Sequence, residues 1–139
     1  MTITAVWPIS SSEDPNAGDG RTVTEPEEID DLIRRLSEPN AGPATIWHEG
    51  REPAEADTEM LDHDVLAVVH NGYGYLAYID AGNDFAVLDG DADSPGCEGE
   101  DIDFPEGSGV STGVLAEALR EFLRTGQRPT SVHWQPMEI

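Results

Sequence analysis

Apolar positions recur in short, separated runs along this chain, and the spacing within each run names the element it predicts. Ile3 to Trp7 joins β-branched and aromatic residues ahead of Pro8, a short strand. From Ile9 to Gly20 the chain turns to Ser, Asp, Asn and Gly, which reads as a loop. Thr22-Val23-Thr24 leads into a helix whose Ile29, Leu32, Ile33 and Leu36 recur at helical spacing and make one apolar face. Thr24 with Glu27 three residues on is a capping-box pattern, Pro26 is tolerable in a first turn, and Pro39 to Pro43 closes the helix. Ala44 to His48 predicts the next strand, and the acid-rich stretch on to Asp64 a loop.

The middle of the chain carries the sharpest signal. Val65 to His70 and Tyr73 to Ile79 flank Asn71-Gly72, a dipeptide suited to a two-residue hairpin turn. Ala81 to Asp84 predicts a second turn and Phe85 to Leu88 a third strand, completing an antiparallel meander. Tyr73, Tyr75, Ala77 and Ile79 share one face of their strand while Leu76 and Tyr78 share the other, which places that strand centrally. Asp89 to Gly109 reads as one long acidic loop. A second helix follows, capped by Ser111 or Thr112, with Leu115, Ala118, Leu119, Phe122 and Leu123 as its buried stripe and Gly126 at a left-handed C-cap. Ser131 to Trp134 predicts a last strand with the Trp134 ring in the core. The order β-α-β-β-β-β-α-β lacks the alternation of a parallel sheet and implies an α+β fold: one largely antiparallel sheet with both helices on one face, a single domain over 1–139.

Charge changes the picture most. Twenty-nine Asp and Glu residues stand against seven arginines and no lysine, a formal net charge of -22 on 139 residues. Self-repulsion on this scale costs stability, and it persists either as the composition of a salt-adapted cell or because a partner rewards it. Such a surface repels nucleic acid and anionic membranes and suits a positively charged protein groove. The acids cluster in three segments: Glu25 to Asp31, Glu49 to Asp64, and Asp89 to Glu106. The N-terminal residues lack the pattern of a signal peptide, no apolar run is long enough to span a bilayer, and a lone Cys97 suits a reducing compartment, so a cytoplasmic protein is expected.

Catalytic and metal patterns are not found. His48-Glu49 lacks a second histidine at zincin spacing, Cys97 lacks a cysteine partner for zinc, and His48, His63, His70 and His133 are spread as strand-end or surface residues. There is no phosphate-binding glycine loop and no nucleophile elbow. Asp89, Asp91, Asp93 and Glu100 occupy positions 1, 3, 5 and 12 of a calcium loop, but Ser94 stands where the glycine belongs and a strand where the incoming helix belongs. A non-enzyme without cofactor or metal is expected.

Three stretches resemble a known family. They are the N-terminal Met1 to Pro8 strand, the helix entered by Thr22-Val-Thr-Glu-Pro-Glu-Glu-Ile29, and the ending Glu117 to Gly126, Arg128-Pro129 and Val132-His-Trp-Gln-Pro136. Together they resemble the first-numbered immunity-protein family of bacterial polymorphic toxin systems, an actinobacterial type. The resemblance implies a small cytoplasmic non-enzyme that binds and neutralises a co-encoded toxin, often a nucleic-acid deaminase and in other cases a nuclease. The motif residues already have structural roles as caps, core and final strand, so the expected partner-binding residues lie in the acidic segments. These are Asp89, Asp91, Asp93, Glu98, Glu100, Asp101 and Asp103, with Glu49 and Trp47 second to them, and they would cover a basic active-site cleft. Two other readings share the charge: an acidic DNA mimic that blocks a DNA-binding protein, and a small-molecule or calcium-binding module.

Overall fold

Asn71 and Gly72 both adopt positive φ, 53° and 81°, and this turn brings β4 (His63–His70) back along β5 (Tyr73–Asp80) in unbroken antiparallel register from His63↔Asp80 to His70↔Tyr73. The computed structural model describes residues 2–9, 13, 17–50, 63–80, 82–98 and 103–136. Around the hairpin the sheet grows both ways. β6 (Asn83–Leu88) adds to β5 and β10 (Trp134–Pro136) to β6. On the other side β3 (Ala44–His48) adds to β4, β1 (Ile3–Pro8) to β3, and β2 (Gly18–Val23) to β1. The order is β10-β6-β5-β4-β3-β1-β2, antiparallel throughout, with a short β9 (Val110–Ser111) laid on β5 at Tyr73 and Gly74. The chain is therefore α+β with a single main sheet.

The first helix, α1 (Glu28–Leu36), has nine residues, too short to persist alone in water. Packing holds it: Ile29, Leu32, Ile33 and Leu36 are buried with Leu115, Leu119 and Phe122 of α2 (Thr112–Thr125) against Ile3, Ala5, Ile46, Val65, Leu76 and Tyr78 of the sheet. Both helices thus cover one face, as the apolar stripes require. α2 begins at Ser111, whose hydroxyl accepts the Val114 N–H, and ends at Gly126 (φ 68°), whose N–H donates to the Phe122 carbonyl. Arg120 ties the helices together through Asp30 at 2.6 Å and the Pro26 carbonyl at 3.2 Å.

At the end of β3, His48 is buried, and its Nδ1 accepts the Gly50 N–H at 3.0 Å. The remaining proton therefore sits on Nε2, which donates to the Leu123 carbonyl at 2.9 Å near the C-terminal end of α2. His63, at the start of β4, is also buried and accepts the His48 N–H at 3.0 Å. Both histidines mark strand ends, as expected, but they are interior polar connectors and not surface residues.

Five details depart from the sequence reading, one of them the last strand, which runs Trp134–Pro136 and not Ser131 to Trp134. The expected loop to Gly20 ends early, because Gly18–Val23 is an edge strand held by its backbone ladder to β1, with Val23 its one buried residue. The helix entry is set one residue later than the capping-box pattern. Glu28, not Glu27, reaches back to the Thr24 N–H, the Thr24 hydroxyl and the Glu25 N–H, at 3.2, 3.0 and 3.1 Å. Trp134 is half-buried against the edge of the core, its N–H on the Pro129 carbonyl at 2.8 Å and the Arg128 guanidinium 5.5 Å from its ring centre. Finally, the long acidic segment has structure of its own.

Candidate functional site

The acidic segment leaves β6 at Asp89 and folds back as an arm on the sheet face opposite the helices. Asp89 donates its N–H to the His133 carbonyl at 2.9 Å, which anchors the start of the arm beside β10. Gly90 and Asp91 then donate to the Gly107 and Gly109 carbonyls, both at 2.8 Å, clamping the outgoing strand of the arm to the returning one. The approach is so close that a side chain at Gly90 would put its Cβ 2.3 Å from the Gly109 carbonyl oxygen, so only glycine fits.

Ser94 is the inner knot. It is 2% exposed, its hydroxyl donates to the Asp91 carbonyl at 2.6 Å, and the same oxygen accepts the Gly109 N–H at 2.9 Å. Its carbonyl accepts the Gly107 N–H at 3.1 Å. Beyond it, β7 (Cys97–Glu98) pairs with β8 (Asp103–Phe104), Cys97 opposite Phe104. Cys97 and Phe104 bury against Val68, Tyr75, Ala77 and Val87, a second apolar cluster. The Tyr75 and Phe104 ring centres lie 5.5 Å apart, and the Tyr75 hydroxyl donates to the Pro95 carbonyl at 2.6 Å. Burial pushes the Tyr75 phenol above its usual range, which keeps it protonated as that donor.

On this base Asp89, Asp91, Asp93, Asp103 and Glu106 are exposed. The Asp91 carboxylate accepts the Asp93 N–H at 2.9 Å, closing a local turn. The β7–β8 pairing brings Asp103 opposite Glu98. Glu100 and Asp101 lie outside the described residues. Among the described residues, no group of three or more His, Cys, Asp or Glu side chains could hold a metal ion. The calcium-loop spacing meets a strand before Asp89 and an Asp91 carboxylate already engaged by its own turn.

Glu49 and Trp47 are not brought to the arm. They lie on and just after β3, where the Trp47 Nε1–H and the Thr4 hydroxyl both donate to Glu49 Oε1 at 2.8 Å. Thr4 is the cross-strand partner of Trp47, so this carboxylate closes a small bridge on the sheet face away from the helices. A separate recess of about 260 Å³ opens beside the end of α1, lined by Trp7, Ile9, Glu38 and Pro39 and crossed by the Asp19–Arg35 ion pair at 3.3 Å. No helix among the described residues is long and apolar enough to cross a membrane.

Sequence reasoning found the acids of the arm but missed what braces them. The usable signal was Phe104, an isolated large aromatic in an acidic stretch, opposite a strand whose Tyr75 face needed cover.

One antiparallel sheet, with helices on one face and a braced acidic arm on the other, makes a small α+β protein whose exposed chemistry is charge and shape. The chain belongs to the Imm1 family of immunity proteins, whose family model matches residues 17–136, from the edge strand β2 through both helices and the arm to β10. Membership implies a cognate toxin as partner and points to an inhibitor rather than a catalyst. No curated protein matches the chain.

Proposed function

We propose that this immunity protein neutralises a nucleic-acid-targeting toxin, a deaminase or a nuclease, by seating its acidic arm in the toxin's basic active-site cleft. The observation that carries this reading is the brace. Exposed carboxylates at Asp89, Asp91, Asp93 and Asp103 stand on a support tied down by Ser94, Tyr75 and Phe104, so little conformational entropy is lost when they are docked. Clefts that hold nucleic acid present Arg and Lys to phosphates, and carboxylates fixed in space can take the phosphates' place with charge-assisted hydrogen bonds. Glu98, Glu100 and Asp101 belong to the same acidic segment of the sequence. Net charge of -22 speeds the encounter with a basic partner above the ordinary range of about 10⁵–10⁶ M⁻¹s⁻¹. The protein acts in the cytoplasm, where such a toxin would meet its target, and needs no cofactor.

The test is survival of cells that express the co-encoded toxin together with a six-fold variant: Asn at 89, 91, 93, 101 and 103 and Gln at 100. Asn keeps the carbonyl that accepts the Asp93 N–H, so the arm retains its turn while losing most of its charge. Loss of protection with a melting temperature at or slightly above that of the wild type is expected. Full protection by this variant would show that the arm is only a solvated surface.

A further inference from the structure

The half of the sheet that the arm leaves uncovered is poor in charge: among the described residues its carboxylates are Glu49, which bridges Trp47 and Thr4, and Asp64 of β4. On the face away from the helices, the registers of β1, β2 and β3 bring Thr4, Val6, Thr22, Thr45 and Trp47 together, and Leu66 of β4 continues the surface opposite Thr45. None of these is ionisable, in a chain with twenty-nine Asp and Glu residues. Val6 is 42% exposed and Trp47 half-buried, with no helix of the described residues above them. Leu66 also packs against the cluster beneath the arm, so the neutral patch and the acidic arm are continuous on one face of the molecule.

A charge-depleted centre bearing an aromatic ring, with acids to one side, has the anatomy of a protein interface: its core is poor in charge and its rim carries the polar groups. Resting on the proposed function, we infer that this patch is the apolar half of the toxin interface, with Trp47 as the anchoring side chain. Its occupant is the same basic partner, presenting an uncharged recess that admits an indole, flanked by the Arg and Lys residues that meet the arm. Charge complementarity selects that occupant over a second copy of this chain, since two bodies of net charge -22 repel. Glu49 then has a different role from the arm carboxylates. Its Oε1 already receives the Trp47 N–H and the Thr4 hydroxyl, so it is a positioning residue that fixes the ring before binding.

The division of labour separates in kinetics, because exposed charges act mainly on association and desolvated anchors on dissociation. The probe is a catalytically inactivated form of the toxin domain encoded beside this chain, passed over the immobilised immunity protein. Trp47→Ala is expected to raise the dissociation rate at least about 30-fold with the association rate within about two-fold of wild type. Glu49→Ala should raise dissociation by a smaller factor, and Glu49→Gln, which keeps an acceptor for the indole N–H, should restore it. Val6→Arg is the control if Trp47→Ala lowers the melting temperature, because Val6 is exposed and its replacement spares the core; it should also speed dissociation. If Trp47→Ala and Val6→Arg dissociate at the wild-type rate while the six-fold arm variant binds poorly, this inference fails and the proposed function stands. If none of these variants alters binding, both fail. A dimer of the immunity protein alone that Trp47→Ala disperses in sedimentation would also overturn the inference, with a second copy as the occupant.

Discussion

Glu121 shows how much one side chain organises here. Its carboxylate accepts the Thr130 N–H at 2.6 Å, the Thr130 hydroxyl at 2.9 Å and the Ser131 N–H at 2.9 Å, pinning the approach to β10 onto α2. Partial burial alone would raise its pKa, but these donors outweigh it and lower the value from the usual 4.5 to about 2. A carboxylate lowered in the folded state contributes stability that is present above its unfolded value and lost as pH falls through the folded one. The contribution of Glu121 is therefore complete above about pH 4.5 and disappears toward pH 2. Glu121→Gln, with one acceptor oxygen left, should cost about 1–2 kcal/mol at neutral pH, a figure discounted for solvent screening. In urea titrations the gap from wild type should close between about pH 4.5 and pH 2; a gap that is constant with pH would contradict the assignment. Tyr75→Phe removes only the hydroxyl that holds Pro95, and should cost about 1 kcal/mol while raising amide exchange at Gly107 and Gly109. If exchange in the arm is unchanged, the brace does not run through Tyr75.

Among the elements, α2 and β5 meet most tightly at Gly74, where a Cβ would lie 2.7 Å from Leu115 Cβ and Cδ2. Gly74→Ala should therefore destabilise by about 1–3 kcal/mol through overpacking, read from the denaturant midpoint. The same substitution at Gly82, where the added Cβ would meet an Asp80 oxygen at 3.7 Å, should be close to neutral. Equal effects would mean that the helix does not press on the strand as described. Elements that bury a periodic face were legible in the sequence: the Asn71-Gly72 hairpin, the four-residue stripe of α1, and the Ser111 and Gly126 caps of α2. Elements held by backbone alone or by contacts distant in sequence were not. β2 reads Gly-Asp-Gly-Arg-Thr-Val and buries only Val23, so no alternation betrays it. The β7–β8 pair spans two residues on each side and owes its place to Phe104 and Cys97 lodged under a distant strand, a long-range contact that no local window contains. For the candidate site, composition exposed the acids but could not reveal that Glu49 is engaged by Trp47 and Thr4.

Across the whole molecule, a charge of -22 acts on folding and on binding with opposite signs. Salt screens the self-repulsion of the folded state, so the melting temperature should rise between about 20 mM and about 300 mM NaCl, and the six-fold arm variant should start higher and rise less. The same screening weakens attraction to a basic cleft. The most direct test of the central claim is the association rate constant between this chain and its inactivated co-encoded toxin, measured across that salt range. A fall of about ten-fold or more for the wild type, with a much flatter dependence for the six-fold arm variant, is the predicted result. A wild-type rate that does not change with salt would contradict the claim that the acidic arm guides this protein onto its toxin.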